Sequence, residues 1–177
     1  MARALPLLLL ALLALCEPAY ASTLAVNATT FLRAHNALRA RHGAPALAWN
    51  TTLAAGAQSW ANACVFAHST PNGAYGENLY AASPLPSTVN PLESSATAAW
   101  YNEASAYNYA APGFSPATGH FTQVVWKASR ALGCGVANCG ARAGILPGYV
   151  VCRYAPPGNY IGAFAANVLP PRAVTAG

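Results

Sequence analysis

The chain has 177 residues, of which 55% are hydrophobic and only 7% are charged, and its formal net charge is +5. This length suits one domain that buries roughly two thirds of its unfolded surface, and no linker, repeat or low-complexity tract divides it. The basic residues are scattered rather than clustered, which excludes a nucleic-acid-binding surface, although their excess favours contact with an anionic membrane or cell wall.

The N-terminal segment has the pattern of a secretory signal peptide. Arg3 precedes an apolar run from Leu5 to Leu15, and a small-x-small sequence follows at Ala19–Ala21,. We expect cleavage before Ser22, so that residues 22–177 form an extracellular, secreted protein. The apolar run holds about eleven residues, whereas a helix needs roughly 20 to cross a bilayer.

The cysteine content fits an oxidising compartment. Removal of the signal peptide takes Cys16 away and leaves Cys64, Cys134, Cys139 and Cys152, an even number that predicts two disulfide bonds. An alternative is a bacterial lipoprotein signal with Cys16 lipidated, but the residue before such a cysteine should be small and here it is leucine,.

Two short patterns predict N-glycosylation. Asn27 and Asn50 each begin an Asn-x-Thr sequon, which a eukaryotic secretory pathway would modify. We therefore expect a glycoprotein if the chain passes through such a pathway.

Two helices are predicted in the N-terminal third of the secreted region. Apolar residues recur at helical spacing from about Thr30 to Arg41, and a Gly and Pro pair then ends the pattern,. A second helix begins at Asn50, whose side chain can cap its first turn, and continues to Cys64,.

Carboxylates are scarce in the secreted region, which has three glutamates and no aspartate. One of them has a local explanation in a third helix, where Asn90 is the predicted cap and Glu93 closes a capping box. Glu77 and Glu103 are left without a role in local structure.

Strand patterns are concentrated toward the C-terminus. Two strands are predicted at Arg130–Ala137 and Tyr149–Tyr154, joined by a Gly-rich connection,. A stretch rich in Tyr, Pro and Gly from Tyr107 to Gly119 predicts a loop before them. Helices followed by strands indicate an α+β domain.

Two segments resemble the signatures of the cysteine-rich secretory, antigen 5 and pathogenesis-related (CAP) superfamily. They are Gly119–Trp126 (GHFTQVVW) and Tyr149–Tyr160 (YVVCRYAPPGNY). The resemblance runs from about Phe31 to Pro171 and is nearest in pattern to fungal secreted sterol-binding members and Golgi-associated animal members. It implies a single SCP-like domain over residues 22–177, built as an α-β-α sandwich with a small central, mainly antiparallel sheet flanked by helices.

The resemblance also implies a cleft in which two histidines and two glutamates converge. The matching residues are His68, Glu77, Glu103 and His120, which include both glutamates without a local role. Two neutral imidazoles suit a zinc ion, with the glutamates accepting from the outer ring nitrogens or holding a metal-bound water. The alternative is a buried hydrogen-bonded network without metal.

Two further histidines are not assigned to this cleft. On the first helix, His35 is predicted to act with Asn36 and Arg39 as an internal hydrogen-bonding partner. His42 lies at the end of that helix, where the helix dipole favours a cation.

The disulfide pairing is likewise implied by the resemblance. It joins Cys64 to Cys139, which ties the end of the second helix to the connection between the strands. It also joins Cys134 to Cys152, which links the two strands. Bridges that close loops of this length contribute about 2 to 4 kcal/mol each.

The predicted loop carries a candidate lipid site. Tyr107, Tyr109 and Phe114 fit the aromatic-x-aromatic-x4-aromatic pattern associated with sterol binding in related fungal and plant proteins. Aromatic rings supply large apolar area, and the flat faces of a sterol match them. We therefore expect a secreted protein that binds a sterol, a fatty acid or another small lipid, in lipid export or defence.

Two other functions are weighed against lipid binding. A zinc hydrolase would use Glu77 or Glu103 as general base, but such enzymes usually hold the metal with three protein ligands and two histidines are available. A precursor that releases a C-terminal signalling peptide from Pro156 is disfavoured because the chain continues to Gly177. We expect a binding protein rather than an enzyme.

Overall fold

The computed structural model describes residues 24–70, 73–85, 89–140, 142 and 144–172. The predicted signal peptide, with Cys16 and the cleavage site before Ser22, lies outside the described residues. The elements, in chain order, are α1 (Ala28–Arg41), β1 (Ala48–Trp49), α2 (Thr51–Ala63), β2 (Gly76–Ala82), α3 (Val89–Asn102), a 3₁₀ turn (Glu103–Ala106), α4 (Gly119–Val125), β3 (Ala131–Asn138), β4 (Gly148–Ala155) and α5 (Phe164–Asn167).

A four-stranded sheet in the order β1-β3-β4-β2 forms the middle layer. Strand β4 pairs antiparallel with β2 and β3, whereas β1 pairs parallel with β3. Alternate residues of β4 face opposite sides: Val150 and Cys152 join the core built with α1, α3 and α4, while Tyr149 and Val151 join a smaller core under α2. The predicted α-β-α sandwich with a mainly antiparallel sheet is confirmed.

Glycines on β3 let α2 lie directly on the sheet. A Cβ atom on Gly133 would come within 2.2 Å of the Ala54 nitrogen, and one on Gly135 within 2.3 Å of the Gln58 backbone. Larger residues at these two positions would push α2 away from the sheet.

Both predicted helix starts carry asparagine caps. The Asn50 side chain accepts from the Leu53 nitrogen at 2.9 Å, as predicted for α2. Helix α1 begins at Ala28, earlier than expected, because the Asn27 side chain accepts from the Thr30 nitrogen at 3.1 Å. Both sequon asparagines are therefore helix caps.

The predicted capping box at Asn90 and Glu93 is wrong. Helix α3 already includes Val89, and the Glu93 carboxylate instead accepts from the backbone nitrogen of Asn27 at 2.8 Å. Glu93 is fully buried, and burial raises its pKa although the Asn27 bond lowers it. A carboxylate is favoured at a helix N-terminus, and this one serves α1 rather than its own helix.

The internal role predicted for His35, Asn36 and Arg39 is confirmed. The Asn36 side chain exchanges two hydrogen bonds with the Leu47 backbone. The buried Arg39 guanidinium donates to carbonyl oxygens of four residues, which fix the segments around α1: Pro45, Val124, Trp126 and Ser129.

The expected cation at His42 is wrong. The ring is buried, with Nδ1 2.6 Å from the Leu169 carbonyl oxygen and Nε2 2.9 Å from the Tyr101 hydroxyl. Burial lowers the pKa of His42, partly offset by the Leu169 bond and reinforced by Arg41. Desolvation thus outweighs the helix dipole.

Both disulfides have the pairing that the resemblance implies, Cys64 with Cys139 and Cys134 with Cys152. The second joins residues directly opposite each other on β3 and β4. Within the described ranges, no helix is both long and apolar enough to cross a bilayer.

Candidate functional site

One half of the candidate site is built around Glu77 on β2. Its Oε1 accepts from the Ser69 nitrogen at 2.9 Å and lies 3.2 Å from His68 Nδ1. Its Oε2 accepts from Ser69 Oγ at 2.7 Å and from Arg153 Nε at 3.1 Å. Burial alone would raise the pKa of Glu77, but the hydrogen bonds from His68, Ser69 and Arg153 together lower it to about 2. The carboxylate therefore stays ionised.

Arg153 on β4 anchors the Glu77 half of the site to the sheet. It is paired with Glu77 across the β2–β4 register, donates from Nη2 to Ser69 Oγ at 3.1 Å, and lies 4.2 Å from the Tyr75 ring centroid. A Cβ on Gly56 would come within 2.4 Å of Nη1, so the glycine leaves room for the guanidinium. The segment that carries His68 is thus held to the sheet by a largely buried cation.

The other half of the site is built around Glu103, which follows α3 and bonds to the start of α4. Its Oε2 accepts from the backbone nitrogens of His120 and Phe121, at 3.0 and 3.1 Å. Its Oε1 lies 2.7 Å from His120 Nδ1, and Trp100 stacks on the His120 ring with centroids 6.4 Å apart. Glu103 therefore holds both the start of α4 and the orientation of the imidazole.

The two halves meet at a cleft of about 230 Å³ at the sheet edge. His68, Glu77 and His120 line it, while Glu103 lies behind His120 and supports the ring from outside the lining. The remaining lining residues are Asn78, Phe114, Pro116, Gly119 and Asn159.

The hydrogen bonds define the tautomer of both cleft histidines. An ionised glutamate can only accept, so Nδ1 of each ring donates and Nε2 keeps its lone pair. Within the part of the chain that the structure describes, no hydrogen-bond partner reaches Nε2 of His68 or His120. Two oriented nitrogen donors are consequently available at one cleft.

This donor set fits a divalent ion held by two imidazoles, with water or a ligand completing the coordination. The described residues contain no group of three or more His, Cys, Asp or Glu side chains arranged to hold a metal ion. Neither glutamate has an idle oxygen, because both oxygens of Glu77 and of Glu103 already accept hydrogen bonds. That arrangement suits ligand positioning better than proton abstraction.

The aromatic residues of the loop separate into two places. Tyr107 and Tyr109 pack edge-on at a centroid distance of 5.0 Å, and both contact Phe121 of the core. Phe114 is half-exposed and lines the cleft beside His120. The structure therefore brings two of the three predicted aromatics together and places the third at the cleft mouth.

A second cavity of about 160 Å³ lies beneath this loop, between Tyr107 and Phe114. The Tyr107 hydroxyl is buried beside the Gly113 backbone. Burial raises its pKa, and the nearby Gly113 backbone lowers it in part. Tyr107 and Phe114 both line this cavity, so a buried tyrosine and an exposed aromatic ring lie on its walls.

Arg153, Ser69 and Asn159 were missed as site residues by sequence reasoning. Asn159 has φ of +60°, and its side chain accepts from Thr122 Oγ1 at 2.6 Å and donates to the Gly119 carbonyl at 2.9 Å. The sequence signal for Asn159 is its place in a Pro-Pro-Gly-Asn turn, because asparagine tolerates a positive φ. The signal for Arg153 is its position beside Cys152.

Comparison with known proteins places these observations in a family. Residues 32–154 match the cysteine-rich secretory protein family, CAP. Protein PRY2 of Saccharomyces cerevisiae is 42% identical over 147 residues, which cover 80% of this chain and 41% of PRY2. Golgi-associated plant pathogenesis-related protein 1 of Homo sapiens is 37% identical over 149 residues, covering 80% of this chain and 91% of that protein.

A solved structure shares the architecture. The crystal structure of NaASP2 with Zn²⁺ superposes with a TM-score of 0.65 and 28% identity, covering 81% of this chain and 85% of that chain. Several curated relatives are longer: this chain spans 41% to 54% of PRY2 and of two relatives from Arthroderma benhamiae and Candida albicans.

Proposed function

The chain belongs to the cysteine-rich secretory protein (CAP) family, and from this premise we propose that it is an extracellular protein that binds a sterol or another small lipid. Export of lipid and defence by sequestering a microbe's sterol are the two roles such binding would serve. The observation that carries the proposal is the cavity at the Tyr107 loop, which is lined by Tyr107, with its buried hydroxyl, and by the half-exposed Phe114.

The chemistry of a sterol matches this arrangement. A sterol combines a rigid apolar body with one hydroxyl group, and that hydroxyl can bond to Tyr107 while the body packs on Phe114. Other single-headed lipids, such as fatty acids, offer the same combination of one polar group and an apolar body. Apolar contact supplies affinity and the tyrosine supplies orientation.

Binding requires the loop to move outward. The cavity of about 160 Å³ is smaller than the roughly 300 Å³ at which pockets for drug-sized ligands begin. Hydrogen bonds in the middle of the loop run within it, from the Ala110 nitrogen to Asn108 Oδ1 and from the Thr118 nitrogen to the Ser115 carbonyl, while its two ends are bonded to Ala104 and Asn159. The middle of the loop can therefore shift as a unit while the bonds within it persist.

Replacing Tyr107 with Phe tests the proposal by removing a single oxygen atom. We expect sterol affinity to fall about five- to tenfold, the effect of losing one hydrogen bond of about 1 kcal/mol. The free energy of unfolding should change by about 1 kcal/mol or less, because one hydroxyl is removed and the packed ring stays. Equilibrium binding of labelled sterol and chemical denaturation measure the two effects.

Tyr160→Phe is the matched control, since that tyrosine is exposed and lies outside the loop. It should bind sterol as the parent does. Unchanged affinity in Tyr107→Phe, or an equal loss in both variants, would refute Tyr107 as the polar contact.

Metal binding is a second candidate function. It is favoured by the Nε2 atoms of His68 and His120, which lie at one cleft and have no partner among the described residues, and by the similarity to NaASP2, whose structure contains Zn²⁺. Zinc would supply a Lewis acid there, while Glu77 and Glu103 would orient the imidazoles. Zinc binding at this cleft does not imply hydrolase activity.

The packing of the C-terminal segment argues against release of a peptide from Pro156. Phe164 and Val168 are buried in the core. The Lys127 nitrogen donates to the Asn167 carbonyl at 3.0 Å, and the Arg172 nitrogen donates to the Arg41 carbonyl at 2.7 Å. Removal of this segment would expose part of the core, so we do not propose a signalling precursor.

A further inference from the structure

The turn between β4 and α5 presents two apolar side chains to solvent. Ile161 is 83% exposed, the largest value among the exposed large hydrophobic residues of the described ranges, and Tyr160 beside it is also exposed. Exposure of large apolar side chains is unfavourable in water and often marks an interaction site. Whether the turn is held in place decides whether this exposure is a stable feature of the fold.

Hydrogen bonds and packing hold the turn on both sides. Before it, the Gly158 nitrogen donates to Gln123 Oε1 at 2.9 Å, and the Asn159 side chain bonds to Thr122 and Gly119. After it, Phe164 packs on Trp126 with ring centroids 5.2 Å apart. Ile161 is therefore displayed by a built turn rather than by a loose loop.

This turn adjoins the cleft. Asn159 lines the cleft together with Phe114 and Pro116, and the Phe114 ring lies 3.1 Å from the Cβ position of Gly119, the same residue to which Asn159 is bonded. We call Phe114, Pro116, Tyr160 and Ile161 the cleft lip. Phe114 and Pro116 line the cleft, and Tyr160 and Ile161 directly follow its lining residue Asn159.

The charged side chains exposed on the described surface are mainly basic. None of its three carboxylates is more than 22% exposed, since Glu77 and Glu93 are buried and Glu103 is partly covered. Lys127 follows Trp126, which packs on Phe164 after the turn, and is exposed. The exposed basic residues are Arg33, Arg41, Lys127, Arg130, Arg142 and Arg172. A surface of this kind is attracted to anionic lipid.

We infer that the cleft lip is a membrane-contact surface, with Ile161 and Tyr160 entering the headgroup and acyl boundary of an anionic bilayer. Aliphatic and tyrosine side chains are suited to this boundary, and the positive charge of the described surface adds electrostatic attraction,. Docking in this orientation opens the cleft and the adjoining loop toward the bilayer. Only the transfer of lipid into the loop rests on the function proposed above; membrane contact itself does not.

Vesicle flotation with the secreted chain tests the inference. Vesicles of phosphatidylcholine alone are compared with vesicles that also contain phosphatidylserine, at low and high salt. We expect binding to the anionic vesicles that weakens as salt rises, and at least about a tenfold lower partition coefficient for Ile161→Ser, because a large aliphatic side chain no longer enters hydrocarbon.

Leu146→Ser is the matched control, because Leu146 is 48% exposed but lies in the connection between β3 and β4. It should partition like the parent. Absence of binding to anionic vesicles, parental partition in Ile161→Ser, or an equal loss in both variants would overturn the inference. Loss of self-association in Ile161→Ser without vesicle binding, seen by sedimentation velocity, would instead show a contact between chains and would also overturn it.

Sterol binding measured without vesicles separates the two proposals. Ile161→Ser should retain it, since Ile161 lies outside the Tyr107 loop. Vesicle binding that persists while no variant or parent binds sterol would remove the lipid-binding function and leave the membrane contact standing.

Discussion

The four histidines of the chain divide into two pairs whose surroundings differ in one respect. In the α1 network, which we define as His35, Arg39 and His42, both ring nitrogens of each histidine have partners. In the cleft, His68 and His120 each have one nitrogen bound to a glutamate and the other without a partner in the described chain. The same side chain thus serves structure where its bonding capacity is used up and is available to a ligand where it is not.

The two regions are also connected. The Asn78 side chain, which lines the cleft, donates to the Tyr154 hydroxyl at 3.3 Å, and that hydroxyl lies 2.9 Å from His35 Nε2. The α1 network therefore supports the cleft wall from behind. Substitutions in the network should change the stability of the whole fold, whereas substitutions in the cleft should change ligand affinity.

The largest effect is expected at Arg39. Arg39→Met leaves three buried carbonyl acceptors and the part-buried Pro45 carbonyl without their donor, and we expect the free energy of unfolding to fall by about 3 kcal/mol or more. Arg33→Met on the exposed face of the same helix should change it by less than about 0.5 kcal/mol. Chemical denaturation of both variants makes the comparison, and equal stabilities would show that Arg39 is not a structural donor.

The next effect is an acid destabilisation through His35. Burial lowers the pKa of His35 to about 4, reinforced by Arg39 and opposed by the Phe31 bond. The unfolded state therefore binds a proton that the folded state does not as pH falls from about 6.5 to 4. The free energy of unfolding of the parent should fall by about 3 kcal/mol between pH 6.5 and 4. In His35→Gln most of this fall should be absent, and a smaller fall caused by His42 should remain.

A second pH window provides the internal control for this prediction. The pKa of Glu77 is lowered to about 2, so its contribution is present above about pH 4.5 and is lost as pH falls toward 2. His35→Gln should keep this acid limb unchanged. A variant whose stability declines as the parent's does between pH 6.5 and 4 would exclude His35 as the source.

Much of the scaffold follows from local pattern, but β1, β2, α4 and α5 do not. Strands β3 and β4 and helices α1 and α2 are predicted within a few residues. Strand β2 is missed because it begins with Gly76 and Glu77, poor strand formers, and owes its conformation to seven paired residues on β4. Helix α4 is missed because it is short and its first amides are satisfied by Glu103, 17 residues earlier.

The residues of the candidate site likewise differ in whether the sequence could identify them. The four cleft residues come from the resemblance, because no local rule brings a glutamate on β2 near a histidine that starts α4. The importance of Arg153 follows only from its register opposite Glu77. The inward packing of Tyr107 and Tyr109 depends on Phe121, which sequence spacing does not place beside them.

The smallest change in fold stability is expected in the cleft. His120→Ala removes one partly exposed ring, and the free energy of unfolding should change by about 1 kcal/mol or less, yet zinc binding should be lost. Calorimetric titration with zinc measures this, and acidification should weaken binding in the parent because a protonated imidazole has no lone pair to donate. Phe114→Ala, which lines the same cleft without a donor atom, should bind zinc as the parent does.

Glu103→Gln distinguishes a metal site from a hydrogen-bonded network that holds no metal. The amide oxygen can still accept a hydrogen bond from His120, but the negative charge that fixes the ring is gone. If His120 holds zinc, affinity should fall about 10- to 100-fold, the usual effect of losing a carboxylate partner behind a metal ligand. Equal zinc affinities in the parent, Glu103→Gln and His120→Ala would remove the metal from the cleft, and the two glutamates would then be organisers of the α3–α4 junction and of the segment before β2.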